Sequence, residues 1–462
     1  MLDGSRIRFF QNIVPSPSNQ LSKMKSIALR RTAVVFTLFI FLIVFTLIAM
    51  EHRESQPAST TPVMSVAWSM KGARHIDQLE THLMKSPADK NSRIMLAQAY
   101  LREAQQSLQE AYYLPKAQTQ IEKVLKLEPD NFEALALQAS LFNTLHQFEK
   151  AQGLAEALIE KGYTNTFVYG VLVDALVELG RYEEAIKACD QMVALRPGIA
   201  SYSRVAYLRE LHGDADGAYE AMALAAEAGV TGEIDRSWAL YQLGQLHLAD
   251  NDFETAEFIF EGILDETPYY AYAIGGLAQV AMQEGNYEAA NDLFDEAYAF
   301  VPADEFLEGK LEIATILGEK AKESALVEQL TKSYMDADAM GENVRMEYAD
   351  FLADLDLDLE EALELAKMEY KRRPNHLHAL ETYAWTLHKN GRSVEAIPHI
   401  EQAMRLETGD AMVHFRAGHI YAGAERSDMA DFHFESALNN NLHVESPSAA
   451  KEAMELLDFQ AP

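Results

Sequence analysis

Ala151 and Ala185, Ala256 and Ala290, and Ala362, Ala396 and Ala430 stand 34 residues apart within each run. A fixed period of this length with a small residue at one phase marks a stacked two-helix unit, because the alanine lets neighbouring helices approach closely. Such a chain folds as a solenoid and buries its core one interface at a time. With each alanine taken as position 20, position 8 is mostly small, as at Ala97, Ala139, Ala206, Gly244, Ala278, Ala349, Ala384 and Gly418. Position 24 is usually apolar (Ile121, Cys189, Met222, Phe260, Phe294, Ile400, Phe434), and position 32 holds Pro129, Pro197, Pro268, Pro302 and Pro374. Positions 8 and 11 share one face of a first helix and 20, 24 and 27 one face of a second, which the proline ends.

These residues resemble the tetratricopeptide repeat, and "YEEAIKACDQMVALRP" (Tyr182 to Pro197) and "YEAANDLFDEAYAFVP" (Tyr287 to Pro302) look like second halves of that family. The resemblance covers roughly residues 73–458 and implies an all-α fold, a right-handed α-solenoid of about ten helix-turn-helix repeats. Leu96, Ala97 and Tyr100 open the first full repeat, which resumes at Ala117 after an insertion of about eight residues. Before it, "IDQLETHLMKSPAD" reads as a lone second helix. The alanine phase stretches between Ala218 and Ala256 and again around Ala325 and Ala362, and the pattern is weakest between Glu305 and Gly341. "SPSAAKEAMELLDF", begun by Ser446-Pro447, reads as a capping helix that covers the last apolar face.

Thr32 to Met50, "TAVVFTLFIFLIVFTLIAM", contains no charge, proline or glycine. As a helix it would reach roughly 28 Å, close to the thickness of a bilayer hydrocarbon core. Arg6, Arg8, Lys23, Lys25, Arg30 and Arg31 precede it against Asp3 alone, so the positive-inside rule keeps the N-terminus in the cytoplasm and sends the repeats across. A cleaved secretory signal is the rival reading, with "MKSIALRR" from Met24, an alternative start, as its basic region. The apolar run is too long for a signal core and lacks an A-x-A-like site after it, which favours an anchor. The expected order is a basic cytoplasmic N-terminus (1–31), a transmembrane helix or uncleaved signal anchor (32–50) and a flexible stalk (51–72). A first part of the array (73–304), a degenerate repeat or joint (305–341), a second part (342–445) and a capping helix with the C-terminus (446–462) follow.

The chain carries a formal charge of −32, and residues 1–50 hold six of its 39 bases and one of its 71 acids, so 33 bases face 70 acids beyond them. Such a surface repels phosphate backbones, which argues against nucleic-acid binding, and attracts a basic partner. Cys189, the only cysteine, excludes an internal disulfide and reads as a small buried apolar group at position 24. No stretch reads as a catalytic motif, so no enzymatic activity and no cofactor are expected. Histidines 376, 378, 388, 399, 414, 419, 433 and 443 crowd the last two repeats, but none pair at i and i+4 within a helix, and no metal site is expected, although His388 and His419 could meet from adjacent repeats.

In the resembled family the first helix of each repeat lines a concave groove through positions 2, 5, 9 and 12. Carried over, those phases give Tyr207, then Trp238, Tyr241 and Gln245, then Tyr272 and Gln279. In the last two repeats they give His378, Glu381, Trp385 and His388, then Met412, Phe415 and His419. Aromatic side chains anchor partners well because they bury large area at small entropic cost. The family's groove for C-terminal carboxylates uses lysine, arginine and asparagine at these phases, and this sequence departs from it. The resulting expectation is a scaffold or adaptor in the inner membrane of a bacterial envelope, with its array outside the cytoplasm, that binds a protein or peptide segment, basic or unfolded, and assists assembly of an envelope complex. A non-catalytic recruiting subunit of an enzyme complex and a periplasmic chaperone of the cytochrome-maturation type are the alternatives.

Overall fold

The computed structural model describes residues 65–107, 109–340 and 343–460, and every element among them is helical. The apolar run 32–50 and its basic flank lie outside the described residues; within them, no helix is long and apolar enough to cross a membrane.

A single helix, α1 (Ser65–Lys85), precedes the pairs. The pairs are α2 (Lys90–Ser107) with α3 (Glu110–Leu127), α4 (Phe132–Thr144) with α5 (Phe148–Glu160), α6 (Thr166–Glu178) with α7 (Tyr182–Leu195), and α8 (Ile199–Leu211) with α9 (Ala215–Glu227). Next come α10 (Ile234–Ala249) with α11 (Phe253–Glu266), α12 (Ala271–Gln283) with α13 (Tyr287–Phe300), and α14 (Asp304–Leu317) with α15 (Lys320–Met340). The series closes with α16 (Arg345–Asp354) and α17 (Leu359–Arg372), α18 (Leu377–Lys389) and α19 (Ser393–Ala403), and α20 (Ala411–Gly423) and α21 (Ser427–Asn439). A short helix α22 (Leu442–Glu445) and the final helix α23 (Pro447–Gln460) complete it.

Local sequence explains the punctuation. Asn131, Asn165, Asp214, Asp252, Asn286, Asp358 and Asp410 each cap a helix by accepting a hydrogen bond from a backbone N–H in its first turn. Each such cap stabilises by about 1 kcal/mol. The turn inside each pair from α4 to α21 carries one residue with positive φ: His146, Gly180, Gly213, Asn251, Gly285, Gly318, Asp356, Gly391 and Glu425. That left-handed residue ends the first helix and reverses the chain.

The small phases sit where the period requires. Ala151, Ala185, Ala218, Ala256, Ala290, Ala362, Ala396 and Ala430 have no exposed surface. Where position 8 is glycine, position 24 of the same repeat is phenylalanine, and a Cβ at Gly244 or Gly418 would overlap the Phe260 or Phe434 ring. Both rings are fully buried, which stabilises by about 2–3 kcal/mol each.

Each break in the period has a structural cause. α2 and α3 are 18 residues long where α4 and α5 have 13, so the insertion in the first repeat lengthens its helices. The stretch before Ala256 is taken up by the connection from Glu227 to Ile234 and by the 16 residues of α10. Around Ala325 the alanine phase itself is overturned: Ala325 is exposed, and the 21-residue α15 buries Leu330 and Tyr334 instead.

One feature is not periodic at all. The array coils until residues 190 to 226 positions apart in sequence touch. Arg373 pairs with Glu178, the Tyr182 hydroxyl accepts from the buried N–H of Leu377 (2.9 Å), and Arg372 donates to the His146 carbonyl (2.7 Å). Farther along, Asn251 donates to the Asn441 side chain (2.5 Å), Asn441 to the Ala249 carbonyl (2.9 Å), and Gln283 to the Val444 carbonyl (3.1 Å). Turns within the early pairs thus meet loops between the late pairs along a seam. It is apolar too, since one core cluster joins buried residues from Ala136 to Ala239 with others from Leu377 to Ala453. At Gly180 and Gly213 a Cβ would overlap the carbonyls of Asn375 and Glu407, so only glycine lets the two edges close.

Candidate functional site

First helices stack on first helices, so equal phases of adjacent repeats form rungs. Gln245 on α10 donates to Gln279 on α12 at 2.7 Å, 34 residues on. The Tyr241 and Tyr272 rings lie 5.6 Å apart on the same two helices, and Tyr272 continues to Phe306 on α14 at 5.9 Å. Tyr207 on α8 and Trp238 on α10 are each 40 % exposed. Four of the six early groove candidates, Tyr241, Gln245, Tyr272 and Gln279, therefore meet on adjacent first helices, and Tyr207 and Trp238 are the most accessible of the six. Burial nevertheless raises the pKa of the Tyr207 and Tyr241 hydroxyls above the ordinary phenolic value. A group that is accessible and yet desolvated stands on the wall of a concave interior.

The late candidates are placed differently. Glu381, Trp385 and Phe415 are buried rather than displayed, which corrects their reading as an open groove surface. Phe415 packs in the apolar core, and Glu381 and Trp385 belong to a packed polar network around Arg416, whose guanidinium meets Asp350 (2.9 Å), Glu381 (3.0 Å) and Asp354 (3.1 Å). Trp385 Nε1 donates to Asp354 (2.7 Å), Thr382 to Asp350 (2.8 Å), and His378 Nδ1 lies 3.1 Å from Glu381. Burial opposes charge on His378, but its hydrogen bond to Glu381 and the surrounding carboxylates hold it protonated, at about 9. Desolvation and the neighbouring acids Asp354 and Glu381 push Asp350 up to about 7 against the pull of Arg416. His388 stacks on Trp385 (5.2 Å) and lies 6.0 Å from His419, which packs edge-on against Phe415 (4.6 Å); Met412 is half-buried. Among the described residues no group of three histidine, cysteine or carboxylate side chains converges to hold a metal. Cys189 is buried, and burial pushes its thiol up to about 12.

The interior carries carboxylates that the groove phases did not single out. Glu178 on α6, Glu210 on α8, Glu305 and Glu308 on α14, Glu347 on α16, Asp410 before α20 and Glu445 on α22 all have raised pKa values, desolvation being the largest cause in each. Glu305 reaches about 7 and Glu445 about 8. Asp410 acts on Glu210 beside the seam contact of Gly213 with Glu407, and Asp410 and Glu381 act on Glu445, so carboxylates from distant repeats lie near one another. The phase rule that picks Tyr207 also reaches Asp174, Glu210 and Asp350, at positions 9, 12 and 9. Glu305 and Glu308 lie in the repeat whose alanine phase fails, which is why spacing alone passes over them.

Family models give the pattern its name over part of the chain. Two stretches match the tetratricopeptide repeat. They span residues 144–198 and 247–305. Tetratricopeptide repeats thus account for α5 to α7 and for α11 to α13. Among solved structures, a human IFIT1 dimer with PPP-AAAA is 16% identical, covering 72% of this chain and 77% of that one, with a TM-score of 0.45. Yeast Tom70 is 15% identical over 87% of this chain and 97% of its own, with a TM-score of 0.34. A tetratricopeptide repeat protein from Parabacteroides merdae is 15% identical over 55% and 98%, with a TM-score of 0.32. At these identities the likeness is one of fold alone. No curated protein matches the chain.

Proposed function

We propose that this chain is a membrane-anchored, non-catalytic adaptor that holds a segment of another protein inside its coiled array and assists assembly of an envelope complex. The observation that carries this reading is the pair Tyr207 and Trp238. Both are 40 % exposed, Tyr207 on α8 and Trp238 on α10, and α10 also carries Tyr241 and Gln245, which meet Tyr272 and Gln279 on α12. Large rings left open on a concave face, next to polar groups with spare hydrogen-bonding capacity, are what a peptide-holding surface needs. The anchor is residues 32–50, with residues 1–31 in the cytoplasm and the array on the far side.

Crosslinking in membranes followed by capture of the chain tests the reading. Replacing Tyr207 and Trp238 together with alanine is expected to abolish recovery of the partner, whereas Phe258→Ala, at an outward position 74 % exposed, leaves it intact. Equal recovery from both variants overturns the assignment. An enzyme recovered in equal amount would make the chain a recruiting subunit, and a spread of unfolded clients would make it a chaperone. A reporter fused after Pro462 and active only in the cytoplasm contradicts the orientation.

A further inference from the structure

The chemistry of the segment can be read from the interior, and the inference rests on the adaptor reading. We propose that the inner face takes an extended, arginine- or lysine-rich segment of a partner protein, its basic side chains meeting Glu210, Glu305 and Glu445 and its backbone lying along Tyr207 and Trp238.

Charge balance supports this. The cations that face the interior are already engaged: Arg373 with Glu178 and Glu369, Arg416 with Asp350, Asp354 and Glu381, Arg204 with Asp174, and His378 with Glu381. Among the described residues no lysine, arginine or histidine makes an ion pair with Glu210, Glu305, Glu347 or Glu445; His378, Arg373 and Arg416 act on Glu210, Glu347 and Glu445 only from beyond contact, and all four carboxylates are accessible. Like charges crowded in a desolvated space are costly, and an entering cation relieves that cost, whereas an anion or an acidic segment adds to it.

Spacing narrows the ligand. The carboxylates sit on α8, α14 and α22, and among the described residues no three such side chains are placed to hold a metal ion, so a chain bearing several separated charges fits where a single metal ion does not. The seam narrows it further. Because early turns and late loops touch, the interior is closed at that edge, and an extended chain lies along the first helices without parting the seam. Finally, the open ring faces of Tyr207 and Trp238 offer apolar surface along which the backbone and aliphatic stems of such a chain lie.

The full-length protein in detergent micelles provides the test, with binding of a fluorescent Arg/Lys-rich peptide followed by anisotropy. A matched peptide has every Arg and Lys changed to Gln. Wild type is expected to bind the basic peptide with marked salt dependence. The triple variant Glu210→Gln, Glu305→Gln, Glu445→Gln is expected to bind it at least about tenfold more weakly. Glu257→Gln with Glu261→Gln, on the exposed side of α11, should stay within about twofold, since distant charges are screened. The triple variant removes crowded carboxylates, so a melting temperature at or above wild type at pH 8 shows that its loss of binding is not unfolding. Failure of wild type to bind at millimolar peptide, unchanged binding by the triple variant, or an equal loss in the α11 variant each overturns the proposal. If the glutamine peptide binds as well as the basic one and Trp238→Ala weakens both, the basic-segment proposal falls while the adaptor reading stands.

Discussion

A methyl group added at Gly418 would overlap the Phe434 ring, so this position reverses the usual order of helix formers. Alanine normally improves on glycine inside a helix by up to about 1 kcal/mol. Here overpacking dominates, and Gly418→Ala is expected to destabilise by about 1–3 kcal/mol in denaturant titration. Adding Phe434→Leu should restore part of that loss, because the smaller side chain vacates the space the methyl needs; additive losses would refute the fit. Position 8 was legible as small, and position 24 as apolar, from spacing alone. That glycine at one goes with phenylalanine at the other follows from the same column of residues once their contact is seen. Arg416 is the opposite case. It falls at position 6, off the groove phases, and its three carboxylate partners come from two earlier helices, Asp350 and Asp354 on α16 and Glu381 on α18.

Helix ends decide how the late elements are held. The N-terminus of α23 is capped from another part of the chain: Glu312 on α14 accepts from the Ser448 backbone N–H (2.8 Å) and hydroxyl (2.9 Å). The helix start was readable from Ser446-Pro447, and Ser446 Oγ does accept from the Ala449 N–H (3.3 Å), but the second cap from Glu312 was not, since it lies 136 residues away. Glu312→Ala is expected to cost about 1–2 kcal/mol and to raise hydrogen exchange in α23 before any other helix. Loss spread evenly over the array would count against a local cap. The α18 to α21 elements carry His388, His419 and His433, each held by burial down to about 4 from an ordinary 6.5. Between those values the unfolded chain binds more protons than the folded one. The stability they contribute is therefore full above pH 6.5 and is lost as pH falls toward 4. Glu305 and Glu445 act in the other sense, with folded values of about 7 and 8 against an ordinary 4.5. Their contribution is full below pH 4.5 and is lost as pH rises through 7 to 8. Hydrogen exchange, corrected for its intrinsic pH dependence, should show α18 to α21 losing protection from pH 7.5 to pH 5 while α14 gains it. A change of one sign in both regions would contradict the assignment.

At the scale of the molecule, a repeat array that touches only its neighbours unfolds piecemeal, and the seam alters that expectation. α15 exposes most of its surface, burying only Leu330 and Tyr334, so the connection through it is a weak mechanical link between early and late repeats. Coupling runs through Arg373, Tyr182 and the shared apolar core instead. Calorimetry of the wild type is expected to show one transition. Arg373→Ala removes the cation that Glu178 meets across the seam, while Glu369 keeps Arg372 and Arg345; the loss is expected to cost about 1–3 kcal/mol and to split the transition into two, the late repeats melting first. Two transitions in the wild type would show that the seam does not couple the halves. None of this was visible in the sequence, because a 34-residue period reports only adjacent contacts. The seam also makes the number of repeats a discrete quantity. Most solenoids tolerate gain or loss of one unit, as a chain tolerates an added link. This one behaves as a threaded fastener: deleting one 34-residue unit between Gly213 and Asn375 would present every early turn with the wrong late loop, and the coil would have to change its pitch or stay open.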